Sequence, residues 1–468
     1  MSQAEIVLKR VLKKITPTER QKLEMNNAIK KIMKTTERVT SPMKLKHTLA
    51  GSFLRDTWLA DKQEFDIFIL FPENVPREKL EKTGLDIGKK IVTELNGKYE
   101  IAYAEHPYVR AVIGKYSVDI VPCYDVKNPG RIKSAVDRTP HHNRYILKKL
   151  TPSISPQVRL LKQFCKGMGV YGSDLRVEGF AGYLTELLII HYRTFKNLMM
   201  HAGNWDAGDV LIDLEGRYAE KKISLKSKFP GQPLVVIDPV DRNRNVAASL
   251  SPANFELFKQ SCRSFLESPS ESYFMPKKVG ISTKSLWKIA KNRGTKLIAV
   301  SFSRPDVVDD VLFPQLRRSA KRMVGILEDG EFRILGYDVW CNKEECVIFF
   351  ELEVWCLPAM KKITGPPVFS RVHTREFIKK YEGRSRLWVE GADWVADMNR
   401  KYTMAEDILE SNLRLTSRQL VMNGMASYVT NGLVKGFVML KDRKIIKKAA
   451  KNKEFSLFLT QYFKKKII

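Results

Sequence analysis

Residues 64–71, Glu64-Phe65-Asp66-Ile67-Phe68-Ile69-Leu70-Phe71, set two acids into a run that is otherwise wholly apolar. The composition is that of a strand, and in a strand the side chains at i and i+2 share a face. Glu64 and Asp66 therefore project together. Upstream stands Gly51-Ser52-Phe53-Leu54-Arg55-Asp56-Thr57-Trp58; downstream stands Ser117-Val118-Asp119-Ile120-Val121, a second strand-like run with one acid. Pairing of the two runs would bring Glu64, Asp66 and Asp119 together. Converging carboxylates raise one another's pKa and are tolerated where a divalent cation neutralises them, and an all-oxygen donor set suits magnesium. Two such ions about 4 Å apart activate an attacking hydroxyl and stabilise a leaving pyrophosphate. A Gly-Ser turn opening a helix would offer backbone N–H groups and a hydroxyl to a phosphate. Arg55, one turn further on that helix, would add a charge. Taken singly, Gly51-Ser52 is a turn and Glu64-x-Asp66 a solvated strand face; their order along the chain makes the catalytic reading.

The chain around this core has 468 residues, a length that suggests about three domains. Hydrophobic residues make up 44% and exclude wholesale disorder. The net charge of +29 attracts polyanions, RNA or DNA first among them. No uncharged apolar run of about 18 residues predicts a membrane span, and Met1–Lys14 lacks a signal-peptide core, so an intracellular, cytoplasmic protein is expected. The six cysteines (Cys123, Cys165, Cys262, Cys341, Cys346 and Cys356) form no CxxC pair. They read as reduced and structural, neither a disulfide frame nor a zinc site.

The patterning predicts an α+β, multidomain chain. Residues 1–48 read as one or two amphipathic helices, 77–95 as a helix, and 99–104, 108–113 and 116–122 as strands, closing a mixed domain near residue 150. Residues 151–268 read as mostly helical, with helices over 158–165, 180–192 and 252–266, the last capped by Ser251. Strands return at 296–302, 333–339 and 346–355. The last hundred residues mix helices with basic segments. Lys441–Ile468 carries ten basic and two acidic residues among regularly placed apolar ones, a basic amphipathic segment.

The ordered set Gly-Ser, acid-x-acid on a strand, then a third acid on a later strand resembles the DNA polymerase β-like nucleotidyltransferase superfamily. Finer likeness lies in GSFLRDTWL (51–59), EFDIFILFP (64–72), YAEHPYVR (103–110), VDIVPCY (118–124), IKSAVDRTPHH (132–142), VRLLKQFCKGMGVYG (158–172), EGFAGYLTELLI (178–189) and VIDPVDRNRNVAASLS (236–251). RPDVVDDVLFPQLRR (304–318) is a weaker echo. These segments are similar to the archaeal-type, class I CCA-adding enzymes, the tRNA nucleotidyltransferases. Over 320–468 only the general pattern matches.

The resemblance implies template-independent addition and repair of the 3′-terminal CCA of tRNA from CTP and ATP, with release of pyrophosphate. It implies a polymerase β-like head (1–150), a helical neck (151–268), and an α/β body and tail (269–468) gripping the acceptor stem and T-arm of tRNA. Homodimers through the C-terminal regions are a further implication. Magnesium falls to Glu64, Asp66 and Asp119, and the incoming nucleotide to Ser52, Arg55, His142, Lys162 and Tyr171, with Gly51 in the same turn. Glu105 and His106 lie near the nucleotide and primer end. Arg244 helps read the nucleobase together with backbone phosphates of the tRNA, and Asp238 and Asn245 are secondary nucleotide or primer contacts beside it.

The residues themselves leave alternatives open. His142 follows Arg138 in what reads as a charged loop and, on the residues alone, reads rather as an ordinary surface histidine; His106, before Pro107, reads as a structural hydrogen-bonded histidine; Arg244 could bond Asp238 or Asp241. Phe53 replaces a tyrosine common at that place in the family, Arg110 stands where a histidine can occur, and Ala181 replaces a serine. A poly(A) polymerase or oligoadenylate synthetase relative is the competing enzyme reading, and a non-catalytic RNA-binding protein the remote one.

Overall fold

In the computed structural model, residues 2–103, 105–218, 228–275, 282–383 and 385–464 are described. They divide into two units, one ending near Lys277 and the other running from there to Lys465.

The first unit holds a five-stranded sheet of β1 (Lys46–Ala50), β2 (Glu64–Phe71), β3 (Lys98–Tyr103), β4 (Pro107–Ile113) and β5 (Tyr116–Tyr124), ordered β1-β2-β5-β4-β3. Only β2 and β5 run parallel. Alternation sorts their side chains. Phe65, Ile67 and Ile69 of β2 pack with Val118 and Ile120 of β5 under two helices, through Met25, Ile29 and Ile32 of one and Leu80, Ile87 and Ile91 of the other. Asp66, Phe68 and Leu70 face the opposite side with Asp119, Val121 and Cys123.

These helices are α2 (Glu19–Thr40) and α3 (Arg77–Glu94), and both α1 (Gln3–Ile15) and α2 begin at capping boxes. Where helix was expected to continue to residue 48, Pro42 and a left-handed Lys44 (φ 53°) end it, and Lys46–Ala50 becomes β1. The expected strand over 99–104 runs Lys98–Tyr103; Ala104 lies outside the described residues. No helix opens at Gly51-Ser52. Residues 51–56 are a compact turn in which the Thr57 N–H donates to the Ser52 carbonyl and the Asp56 N–H to that of Phe53, with Asp56 left-handed at φ 48°.

Beside the sheet is a helical body of α4 (Arg138–Lys149), α5 (Ile154–Met168), α6 (Gly182–Tyr192), α7 (Phe195–Ala202) and the helix Pro252–Glu267, the last capped by Ser251. Its core gathers Phe164, Phe180, Phe195, Phe258 and Phe265, and α1 contributes Val7 and Val11. The stretch holding His142, expected as a loop, is α4; Pro140 sits in its first turn, where a missing N–H costs nothing.

The second unit has an antiparallel four-stranded sheet containing Lys296–Ser303, Glu345–Leu352, Ile334–Cys341 and Phe437–Lys441. A helix, Asp309–Asp329, packs on one face, and the helices Arg443–Lys451 and Lys453–Phe463 on the other. The basic C-terminal segment is thus structured through its apolar residues as expected, its last four residues lying outside the described ones. Missed from the sequence is a three-stranded sheet of Met360–Pro367, Asp393–Asn399 and Arg386–Glu390. Among the described residues no helix is long and apolar enough to cross a membrane.

Candidate active site

Parallel pairing of β2 and β5 sets Asp66 directly opposite Asp119, and β4 places Arg110 opposite Asp119 on the other side. One rung of the sheet therefore reads Asp66-Asp119-Arg110. The Arg110 guanidinium grips Asp119 through both nitrogens, Nε to Oδ1 at 3.1 Å and Nη2 to Oδ2 at 3.2 Å. Asp66 has no such partner. Burial, then the neighbouring Asp119 charge, raise its carboxyl from 3.8 to about 7 against the lowering pull of Arg55. Glu64 shares the face but lies two residues back, exposed, and pairs with Lys62 at 3.0 Å. Among the described residues no three acidic, histidine or cysteine side chains are gathered to hold a metal ion. Of the three expected carboxylates, two meet and the third is turned to a surface lysine.

Gly51 is dictated by this rung. Its φ is +96°, and a Cβ there would lie 2.9 Å from Asp66 Oδ2. Gly51→Ala strains the backbone and displaces the carboxylate together, so we expect a loss of about 1–2 kcal/mol in thermal unfolding and a disproportionate loss of catalysis.

Behind the turn, α5 presents Arg159, Lys162 and Lys166 at i, i+3 and i+7, one face of the helix. All three hold the segment 56–61. Arg159 donates to the Trp58 carbonyl at 3.0 Å and pairs with Asp56; Lys166 pairs with Asp61 at 2.6 Å. The Lys162 ammonium, 2% exposed, donates to Thr57 Oγ1 at 2.9 Å and pairs with Glu186 at 3.2 Å. Arg55 reaches the same carboxylate at 3.0 Å and donates to Asn143 Oδ1. Thr57 Oγ1 also donates to Glu186, at 2.6 Å. Burial works to raise Glu186, but the Arg55 and Lys162 charges and these hydrogen bonds hold it at about 2. Lys162 was expected as an open phosphate clamp. Here it is enclosed, because an acid buried in α6 draws it inward. Tyr171 packs beside it, its hydroxyl 3.1 Å from where a Gly182 Cβ would stand.

The third cluster centres on Asp238. His142 Nε2 lies 2.9 Å from Asp238 Oδ2, and the His142 ring stacks on Tyr183 with centroids 4.0 Å apart. Tyr183 donates to Asp238 at 3.3 Å, the Val240 N–H at 2.9 Å, and Arg244 pairs with it at 2.9 Å. Burial alone would raise Asp238, yet the bonds and charges from His142, Val240 and Arg244 bring it to about 2. Arg138, four residues before His142 on α4, bonds Asp241 of the same irregular loop at 3.1 Å. Of the two partners open to Arg244, its side chain takes Asp238.

Three further expected contact residues hold bonds within the protein. Asn245 is buried, accepts from the Val236 and Ala247 N–H groups and donates to the Leu234 carbonyl. Its amide shapes the loop that carries Asp238 and Arg244. His106 is buried with Nδ1 3.2 Å from Glu81, and the Glu105 carboxylate accepts from the Ala135 N–H.

Tyr183 and Glu186, i and i+3 on α6, serve the second and third clusters from one helix face, and neither was singled out from the sequence. Glu186 left a signal. It is the only acid among seven consecutive buried positions, 184–190, and a buried acid requires partners.

Three family models match in order: "Nucleotidyltransferase domain" over residues 27–142, "tRNA nucleotidyltransferase, second domain" over 156–275 and "CCA-adding enzyme, C-terminal domain" over 293–440. The CCA-adding enzyme of Methanosarcina acetivorans is 35% identical over 462 residues, 97% of each chain. The chain belongs to the CCA-adding enzyme family. The CCA-adding enzymes of Methanothermobacter thermautotrophicus (40% identical, 79% of each chain) and Archaeoglobus fulgidus (36%, covering 87% of this chain and 89% of that one) are further relatives. The polymerase β-like fold and a nucleotidyltransferase activity accord with this membership. The third match falls where the sequence alone offered only a general pattern, and it argues against the poly(A) polymerase and oligoadenylate synthetase readings. A solved poly(U) polymerase structure is similar at a TM-score of 0.47 and 13% identity over 59% of this chain and all of that one, a likeness too slight to carry weight.

Proposed function

We propose that this chain adds and repairs the 3′-terminal CCA of tRNA from CTP and ATP, that the Asp66-Asp119 rung is its catalytic centre, and that residues 1–150, 151–268 and 269–468 are its head, neck, and body with tail. The observation that carries the site is the pair of register-opposed carboxylates in a chain that matches a CCA-adding enzyme over 97% of both. The rung fits a hard divalent cation such as magnesium: its donors are all oxygens, and Asp66 is raised to about 7 first by burial and then by the Asp119 charge, the second of which a cation would offset directly. Asp66 and Asp119 would hold it, with Glu64 joining once released from Lys62. Bound there, the metal would supply charge neutralisation at the reacting phosphates and lower the pKa of the attacking hydroxyl.

The chain's own residues do the positioning. Gly51 and Ser52 present the turn to the triphosphate. Arg55 and Lys162 bring two positive charges to one negative, Glu186, and leave a surplus positive charge buried beside the rung, where low dielectric lengthens its reach. His142 and Tyr183 form a stacked platform, and Arg244, half-exposed and anchored on Asp238, directs its planar donors to a base edge. Tyr171 lies beside Lys162 for the sugar.

Incubating the protein with tRNA transcripts lacking CCA and labelled CTP or ATP tests the reading: C, C and A are added and addition stops. A long A tail, 2′-5′ oligomers or transfer to unrelated RNA overturns it. If acceptor stem and T-arm phosphates bind the basic surface, log Kd rises linearly with log salt concentration over several decades of affinity. A flat dependence in a filter-binding titration removes that role from the charge.

A further inference from the structure

In the second unit, the strands Ile334–Cys341 and Glu345–Leu352 are joined by a tight turn. The Asn342 N–H donates to the Glu345 carbonyl at 3.0 Å, and Asn342 Oδ1 accepts from the N–H groups of Glu344 and Glu345 at 2.9 and 2.8 Å. Cys341 and Cys346 are the register pair just behind that turn. Because Asn342 and Glu345 carry the ladder bond, the next pair inward is of the non-hydrogen-bonded kind. Such pairs bring Cα atoms to about 4.5 Å and side chains closest together. A disulfide tolerates Cα separations of about 4.4–6.8 Å. The two sulphur atoms here lie 2.8 Å apart.

The surroundings differ from those of the other cysteines. The Arg304 guanidinium stands 3.7 Å from Cys341 Sγ, fixed by the Asn342 and Val307 carbonyls at 3.1 and 3.0 Å and by Asp309 at 2.8 Å. The hydrogen bond from Cys346, and then the Arg304 charge, hold the Cys341 thiol below the ordinary range despite burial. Cys346 is pushed up by the same bond and by burial. Burial pushes Cys123, Cys165 and Cys262 upward. The thiolate is the nucleophile in thiol chemistry, so the pair contains one sulphur suited to attack and one suited to resolve. Both are buried, yet they lie one residue behind the exposed Lys343-Glu344 turn.

We propose that Cys341 and Cys346 are a peroxide-oxidisable dithiol that closes into a disulfide across this hairpin. The Cys341 thiolate attacks one oxygen of hydrogen peroxide, the O–O bond breaks, and hydroxide leaves and is protonated to water. Cys341 is then a sulfenic acid. Cys346 gives up its proton, its sulphur attacks Cys341 Sγ, and the S–O bond breaks as that oxygen departs with the proton as a second water. One peroxide and two thiols give one disulfide and two waters, two electrons passing from the sulphurs to the peroxide. A small oxidant suits so enclosed a pair.

The test uses the full chain carrying Cys356→Ser, which removes the one exposed thiol and leaves five. The protein is treated with hydrogen peroxide, denatured, alkylated and digested with trypsin. Cleavage after Lys343 separates the two sulphurs, so a disulfide joins peptide 334–343 to peptide 344–361. The expected result is three alkylated thiols and that linked pair, with five thiols restored by a reductant. In the same background Cys341→Ser keeps all four remaining thiols. Five alkylated thiols after peroxide, a sulfinic acid on Cys341 with Cys346 still free, or a link involving Cys123, Cys165 or Cys262 overturns the proposal.

Discussion

Replacing Asp66 with alanine lowers nucleotide incorporation into tRNA lacking CCA by at least about a thousandfold, a loss of roughly 4 kcal/mol of transition-state stabilisation. Affinity for tRNA, read by filter binding, stays within about twofold, since Asp66 contributes no positive charge to phosphate binding. Thermal unfolding is not impaired, because Asp66 is held beside Asp119 at a cost: its carboxyl sits near 7, raised by burial and by that neighbour. Asp119→Ala gives a comparable loss of transfer but a different signature in the metal-free protein. It leaves Arg110 without the carboxylate that both its nitrogens grip. Glu64→Ala is milder in fold and in tRNA binding, its side chain being exposed on Lys62. Full transfer activity in Asp66→Ala would mean that the metal site is elsewhere on the chain.

How much of this was legible in the sequence depends on the range of the interaction. Asp66 and Glu64 could be read because strand alternation is local, and Asp119 because its strand has the same pattern; their pairing needed only that β2 and β5 be neighbours. The helix after Gly51-Ser52 could not be read correctly. A left-handed Asp56 and a turn closed by Thr57 are set by Arg159 and Lys166, which grip Asp56 and Asp61 from a hundred residues away. Lys162 and Asn245 show the same limit from the other side. The family resemblance placed both near the nucleotide; their tertiary partners, Glu186 for one and the 234–247 backbone for the other, were not legible in the sequence. The Cys341–Cys346 pair was invisible to a search for CxxC spacing, because register, not separation along the chain, brings the sulphurs together.

Glu186→Ala destabilises the protein by about 3–5 kcal/mol, the cost of leaving buried cations without their partner. The carboxylate is fully buried and is the one acid shared by Arg55 and Lys162. Its removal strands two charges, whereas Lys162→Met leaves a neutral Arg55–Glu186 pair. Lys162→Met therefore costs less in urea unfolding than Glu186→Ala, even though both delete one end of the same bridge. If the surplus positive charge serves the triphosphate, Lys162→Met raises KM for ATP and CTP several-fold while remaining folded. The pH dependence separates electrostatics from packing. Folding lowers the Glu186 pKa from 4.5 to about 2, so the unfolded chain binds its proton first as the solution is acidified. Its contribution is complete above about pH 4.5 and is lost as pH falls through 2. Glu186→Gln keeps the shape without the charge, so it is less stable than the parent at neutral pH, and the gap between the two narrows between pH 4.5 and 2. A constant gap across that window would assign the loss to packing and remove Glu186 from the charge balance beside the rung.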